Sequence, residues 1–183
     1  MTISRPKLLA ILAALYAATL AVAAPFTTAD RLLLCAILIP PMLWLSVTDL
    51  ERHEIPDLAT ATIALAGGVF QWHLHGLTVP FFSLLALAAA LTAAFWVAGQ
   101  RYFERNGSEA FGIGDAKLIG AGTLCIGAAS VWAMLFVAAT GGIVAALLSR
   151  RRDPATTGLA FGPFLAYAVL IFVNVPVAGA FAP

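Results

Sequence analysis

The sequence predicts an all-α fold: a polytopic membrane bundle of about seven transmembrane helices forming one domain over residues 1–183. Three observations carry this. Of the 183 residues, 62% are hydrophobic and only 10% are charged. Soluble domains average about 25% charged residues, so this chain cannot cover a water-facing surface. Apolar runs of membrane-spanning size alternate with short polar segments. The cations also gather in every second polar segment, as the positive-inside rule requires. A net charge of +1 gives no footing for nucleic acid, and the lipid bilayer is the expected partner.

Arg5 and Lys7 precede the first apolar run, Leu8 to Ala24. Residues 1–26 read as an extra N-terminal span or a signal anchor. Ala21-Val22-Ala23 also fits the small-residue cleavage site of a secretory leader. The second span, Leu32 to Val47, contains Pro40-Pro41, a pair expected to kink it. The segment from Asp49 to Asp57 reads as a polar loop, with Pro56 and Asp57 starting the next helix. Leu58 to Trp72 is a short third span ending in an interfacial belt, where Trp72 is an aromatic anchor. His73 and His75 read as solvated loop residues rather than a metal pair.

Pro80 opens the fourth span, which runs to Ala98. Gln100 to Gly114 reads as the longest polar loop. The apolar stretch after Asp115 continues to Leu148, and as one helix it would be ~50 Å long against a core of roughly 30 Å. It therefore divides near Gly127 to Ser130, into a short fifth span (Ala116 to Ile126) and a sixth (Val131 to Leu148). A basic loop, Arg150 to Arg152, leads to a seventh span, Leu159 to Phe181. Cys35 and Cys125 both lie in apolar runs without CxxC spacing, so they read as small buried hydrophobes. Ala116 with Gly120 makes a small-residue face suited to packing within the bundle or between copies in a homo-oligomer.

Seven spans place Arg5, Lys7, Arg52, Arg101, Arg105, Lys117, Arg150, Arg151 and Arg152 on one side and leave Arg31 on the other. The crowded side is then cytoplasmic. Asp49 and Asp115 fall on that same side, each where an apolar run meets a polar segment. A carboxylate at such a boundary is costly and usually has a task. Two close carboxyls can cut a peptide bond with water alone: one takes a proton from water while the other, protonated, donates to the substrate. Ion repulsion makes such a pair share a proton. Asp49 and Asp115 are the candidate catalytic pair. Gly112 and Gly114 are candidates for shaping the loop or approaching substrate closely through positive φ. Lys117 is a candidate for supplying positive potential, although snorkelling to the interface is the preferred reading. Taken singly, Asp49 also reads as a helix end and Asp115 as an N-cap.

Four stretches occur in order: Thr48-Asp49 followed by Ile55-Pro56-Asp57; Gly112-Ile113-Gly114-Asp115-Ala116-Lys117-Leu118; the basic Arg150 to Arg152; and Phe161-Gly162-Pro163-Phe164-Leu165-Ala166. Through them, over about residues 40–170, the chain resembles the prepilin peptidases, membrane aspartic proteases of the GxGD type. The resemblance implies that Asp49 and Asp115 are the catalytic dyad. It implies a pilin-like precursor as substrate and partner, cut after its basic leader, typically at a glycine before the apolar stem. It also implies a multi-pass protein of the bacterial cytoplasmic membrane with its active site facing the cytoplasm. Glu51, Glu54, Glu104 and Glu109 are placed to attract a basic leader. Longer family members carry an N-terminal domain with paired cysteines and methylate the new N-terminus. This sequence shows no such domain and looks like a short, peptidase-only form. No metal or organic cofactor is indicated. The competing classes are a proton-coupled small transporter and a non-catalytic membrane subunit of a pilus or secretion assembly. A presenilin-like protease would share the dyad but cut within a substrate's span.

Overall fold

The computed structural model describes residues 5–107, 112–152 and 159–175, with 149–152 described by backbone only. Phe111, Glu109, the Arg150–Arg152 side chains, the Asp153-Pro154 step and the end of the expected seventh span lie outside the described side chains or residues. Among the described residues there are seven α-helices and no strand. They are α1 (Arg5–Ala23), α2 (Ala29–Arg52), α3 (Asp57–His75), α4 (Val79–Asn106), α5 (Ile113–Ile126), α6 (Val131–Arg152) and α7 (Gly162–Asn174). Four helical stretches are long and apolar enough to cross a membrane: Arg5–Phe26, Ala29–Arg52, Val79–Asn106 and Ala128–Leu148. The protein is an integral membrane helical bundle.

The long apolar stretch does divide where expected. Gly127 takes φ 77° and a short 3₁₀ turn, Ala128–Ser130, follows it. Only glycine enters that backbone region readily. Several boundaries differ from the sequence reading; α7, for one, begins at Gly162 rather than Leu159. Asp49 sits inside α2, which continues to Arg52, rather than in a loop. Gln100 to Asn106 is helix, not loop, and α4 stops at Gly107 with φ 66°. At 1.5 Å per residue the 28-residue α4 is ~42 Å long, so roughly two turns project beyond a ~30 Å core. Polar side chains there signal an exit from lipid, not an end of helix. His73 and His75 form the exposed last turn of α3.

α5 is the centre of the bundle. Nine of its fourteen residues are buried, on all sides, and it packs against α3, α4 and α7. Apolar side chains gain little by leaving lipid for protein, so close packing decides which faces meet. Here glycines do it. A Cβ on Gly67 of α3 would lie 2.7 Å from the Cys125 backbone nitrogen. One on Gly120 would collide with Thr92 and lie 3.0 Å from the Ala88 carbonyl oxygen of α4. The Ala116 and Gly120 face is thus taken up inside the bundle. Cys35 and Cys125 are free and buried, as expected.

α1 is bound to α2 and α7 through a buried polar contact set. Tyr16 is 1% exposed, lies 3.4 Å from the Ser46 hydroxyl and stacks on Tyr167 at 5.9 Å. The Thr19 and Tyr167 hydroxyls are 2.9 Å apart. At one end of the bundle, Thr27 donates to Asn174 Oδ1 (3.1 Å) and Arg31 to the Val175 carbonyl (3.0 Å). At the other end Arg5 pairs with Glu51 at 3.6 Å. That second end collects the C-terminal ends of α2 and α4 with the N-terminal ends of α1, α3, α5 and α7.

Candidate functional site

Leu38, Met42, Leu45 and Asp49 recur at steps of three and four along α2, so they share one buried face. The periodicity that packs the leucines inward carries Asp49 inward too, leaving it 5% exposed. A buried carboxylate needs a donor. Gly162, the first residue of α7, donates its backbone N–H to Asp49 Oδ2 at 2.8 Å. The positive end of the helix dipole therefore faces the carboxylate. Pro163 suits the first turn of α7, where its missing N–H costs nothing. A Cβ on Gly162 would lie 2.9 Å from Asp49 Oδ2, so glycine is what lets the amide come this close.

After Arg52 the chain reverses sharply. His53 closes α2 in the left-handed region, φ 54° and ψ 37°, with its N–H on the Asp49 carbonyl at 2.9 Å. A non-glycine residue there costs about 1–2 kcal/mol. The turn delivers Ile55 between the two aspartate-bearing segments. The Ile55 Cβ would be 2.8 Å from a Cβ at Gly114, and its Cδ1 3.1 Å from one at Gly162. One side chain thus packs against the residue before Asp115 and the residue that binds Asp49.

Asp115 is the third residue of α5. Its Oδ2 accepts the Gly112 N–H at 3.3 Å, the carboxylate half of a capping box. Its Oδ1 is buried without a hydrogen-bond partner among the described residues. Such an atom in a native site asks for an explanation. Asp115 also lies within electrostatic reach of Asp49. The Ile55 side chain, packed against both Gly114 and the Gly162 that binds Asp49, sets the two carboxylates singled out by sequence in one neighbourhood.

Two expectations change. Neither Gly112 nor Gly114 has positive φ; Gly112 is extended at φ −76°, and Gly114 is helical. The close approach at Gly114 is made by Ile55, not by an open channel. Lys117 does not merely snorkel: its Nζ reaches Asp57 Oδ1 at 2.7 Å, joining the starts of α5 and α3 at a half-exposed position. Glu51 is engaged by Arg5, whereas Glu54 and Glu104 are exposed. No group of three His, Cys, Asp or Glu side chains is arranged to hold a metal among the described residues. The sequence reading missed the roles of Ile55, Asp57 and Gly162. Each stands in a quoted motif, but packing roles carry no charge signal, and the Lys117 pair spans 60 positions.

The model of the type IV leader peptidase family matches residues 36–148, which include both aspartates, α3, α4 and all of α5. This chain belongs to that family. It is 31% identical over 133 residues to the prepilin leader peptidase/N-methyltransferase of Escherichia coli (strain K12), covering 71% of this chain and 57% of that relative. The chain thus spans a little over half the length of the relative it matches. No solved structure matches it. The family match begins inside α2, so α1 and the Gly162 contact lie outside it.

Proposed function

We propose that this member of the type IV leader peptidase family is a membrane aspartic endopeptidase that removes the basic leader of pilin-like precursors. The observation that carries the reading is that Asp49 and Asp115 lie within electrostatic reach of each other at the same end of the bundle, with Asp115 Oδ1 buried and without a hydrogen-bond partner among the described residues. Two carboxyls so placed hold one proton between them, a property of the pair rather than of either residue. The ionised member takes a proton from a water, whose oxygen bonds to the scissile carbonyl carbon. The protonated member donates to the carbonyl oxygen, and a proton then passes to the nitrogen as the C–N bond breaks. Backbone amides from Gly162 and Gly112 each hold one oxygen of a carboxylate in place.

The dyad end carries Arg5, Lys7, Arg52, Arg101, Arg105 and Lys117, with Arg31 at the opposite end, so it faces the cytoplasm by the positive-inside rule. A bacterial cytoplasmic membrane suits that placement. The proposal covers hydrolysis alone; the mass of the new N-terminus reports separately on methyl transfer.

The test is cleavage of a co-expressed pilin-like precursor by wild type, Asp49→Asn and Asp115→Asn. Asparagine keeps the size and removes the titrating proton. Wild type processes the leader, and both variants reach the membrane at normal level with cleavage lowered by roughly 10³-fold or more. Processing by both variants would overturn the reading.

A further inference from the structure

Beside the dyad lies a cleft of ≈ 630 Å³, within the ~300–1,000 Å³ range of ligand sites. Its floor is the Gly112–Gly114 backbone, whose first amide holds Asp115. One wall is the last stretch of α4, where Trp96, Gln100 and Phe103 sit at steps of four and three and so share a face. The turn after α2 also lines the cleft, with Glu54 and Ile55. Trp96 and Phe103 are each 46% exposed and belong to no buried core. Asp57, which also lines the cleft, is engaged by Lys117, which leaves Glu54 as its carboxylate without an ion pair among the described residues.

We infer that Trp96 and Phe103 are specificity-determining residues that seat an apolar side chain of the precursor next to the scissile bond. This rests on the peptidase reading above. The occupant follows from the walls. A segment lying on the Gly112–Gly114 floor is within a few residues of the dyad. Aromatic faces on one side accept an apolar side chain with large contact area. The Glu54 carboxylate in the same lining accepts a cation. A chain that passes from basic to apolar at the cut site presents both in the right order. Trp96 belongs to the end of the expected fourth span, and Gln100 and Phe103 to the turns of α4 that continue past it.

The test uses the full chain reconstituted in nanodiscs and four precursors differing only in the first residue after the cut: Phe, Leu, Ala or Ser. Wild type prefers Phe and Leu over Ser by about 10-fold or more in kcat/KM. In Trp96→Ala with Phe103→Ala, that preference falls to about threefold or less, through a raised KM for Phe and Leu, while the Ser precursor is cut at nearly the wild-type rate. Should the double variant not reach the membrane, Trp96→Phe and Phe103→Leu carry the same readout as a shift in the Phe-to-Leu ratio. An unchanged preference overturns the inference. So does an equal loss on all four precursors, which is what an interfacial anchor or an acyl-chain site would give. Wild type that cuts none of the four removes the peptidase reading and this inference with it, an outcome distinct from the other two.

Discussion

The backbone N–H of Gly162 donates to Asp49 Oδ2 at 2.8 Å across 113 positions of sequence. The bond fixes where the Asp49 carboxylate points, and it depends on residue 162 having no side chain.

Gly162→Ala is accordingly expected to damage the site more than the bundle. Its Cβ would meet Asp49 Oδ2 at 2.9 Å and Ile55 Cδ1 at 3.1 Å. Overpacking of this kind costs roughly 1–3 kcal/mol, or about 10- to 100-fold in cleavage if it falls on the dyad. Precursor cleavage measured alongside detergent melting separates the two effects. Full activity in the alanine variant would show that the amide contact is dispensable.

Gly67→Ala and Gly68→Ala should differ sharply although they are neighbours. The first places a Cβ 2.7 Å from the backbone of α5, which cannot rotate away; the second meets nothing within 4 Å. About 1–3 kcal/mol of destabilisation is expected at 67 and little change at 68. Thermal unfolding of both in one detergent checks this. Equal melting temperatures would remove the close α3–α5 crossing.

The Asp57–Lys117 pair should contribute little to stability despite its 2.7 Å separation. Its side chains are 77% and 38% exposed, and exposed ion pairs are worth about 0–1 kcal/mol. A double-mutant cycle with Asp57→Asn and Lys117→Met measures the coupling, which should weaken with added salt. A coupling well above that range, insensitive to salt, would contradict this.

Tyr16→Phe should destabilise the protein by about 0.5–1.5 kcal/mol, because it leaves the buried Ser46 hydroxyl short of its partner. The same packing bears on Ala21-Val22-Ala23. Loss of α1 would strip Tyr16 from Tyr167 and Ser46 and release Arg5 from Glu51. The membrane-extracted protein is therefore expected to retain α1 by intact mass.

Much of this was legible in the residues for one reason: charge is rare in a membrane chain. Asp49 and Asp115 stand out because each carries a charge where an apolar run meets a polar segment, and the division at Gly127 follows from helix length. What stayed hidden lacks that contrast. The polar run after Ala98 looked like a loop because leaving lipid and leaving helix both appear as polarity. Gly162 and Ile55 were visible only as letters of a motif, since their roles are an absent Cβ and a filled gap. Positive φ was expected at Gly112 and Gly114, but glycine serves close packing as readily as it serves turns. The structure uses left-handed geometry at His53 instead, where no residue preference announced it.

The span from Asp49 to Gly162 also orders events in time. At ~5–20 residues per second of synthesis, the amide that orients the first carboxylate, 113 positions on, emerges roughly 6–23 seconds after it. A chain halted between α5 and α7 already carries both acids, yet Asp49 has no Gly162 to hold it. The site is therefore completed only when the last helix arrives.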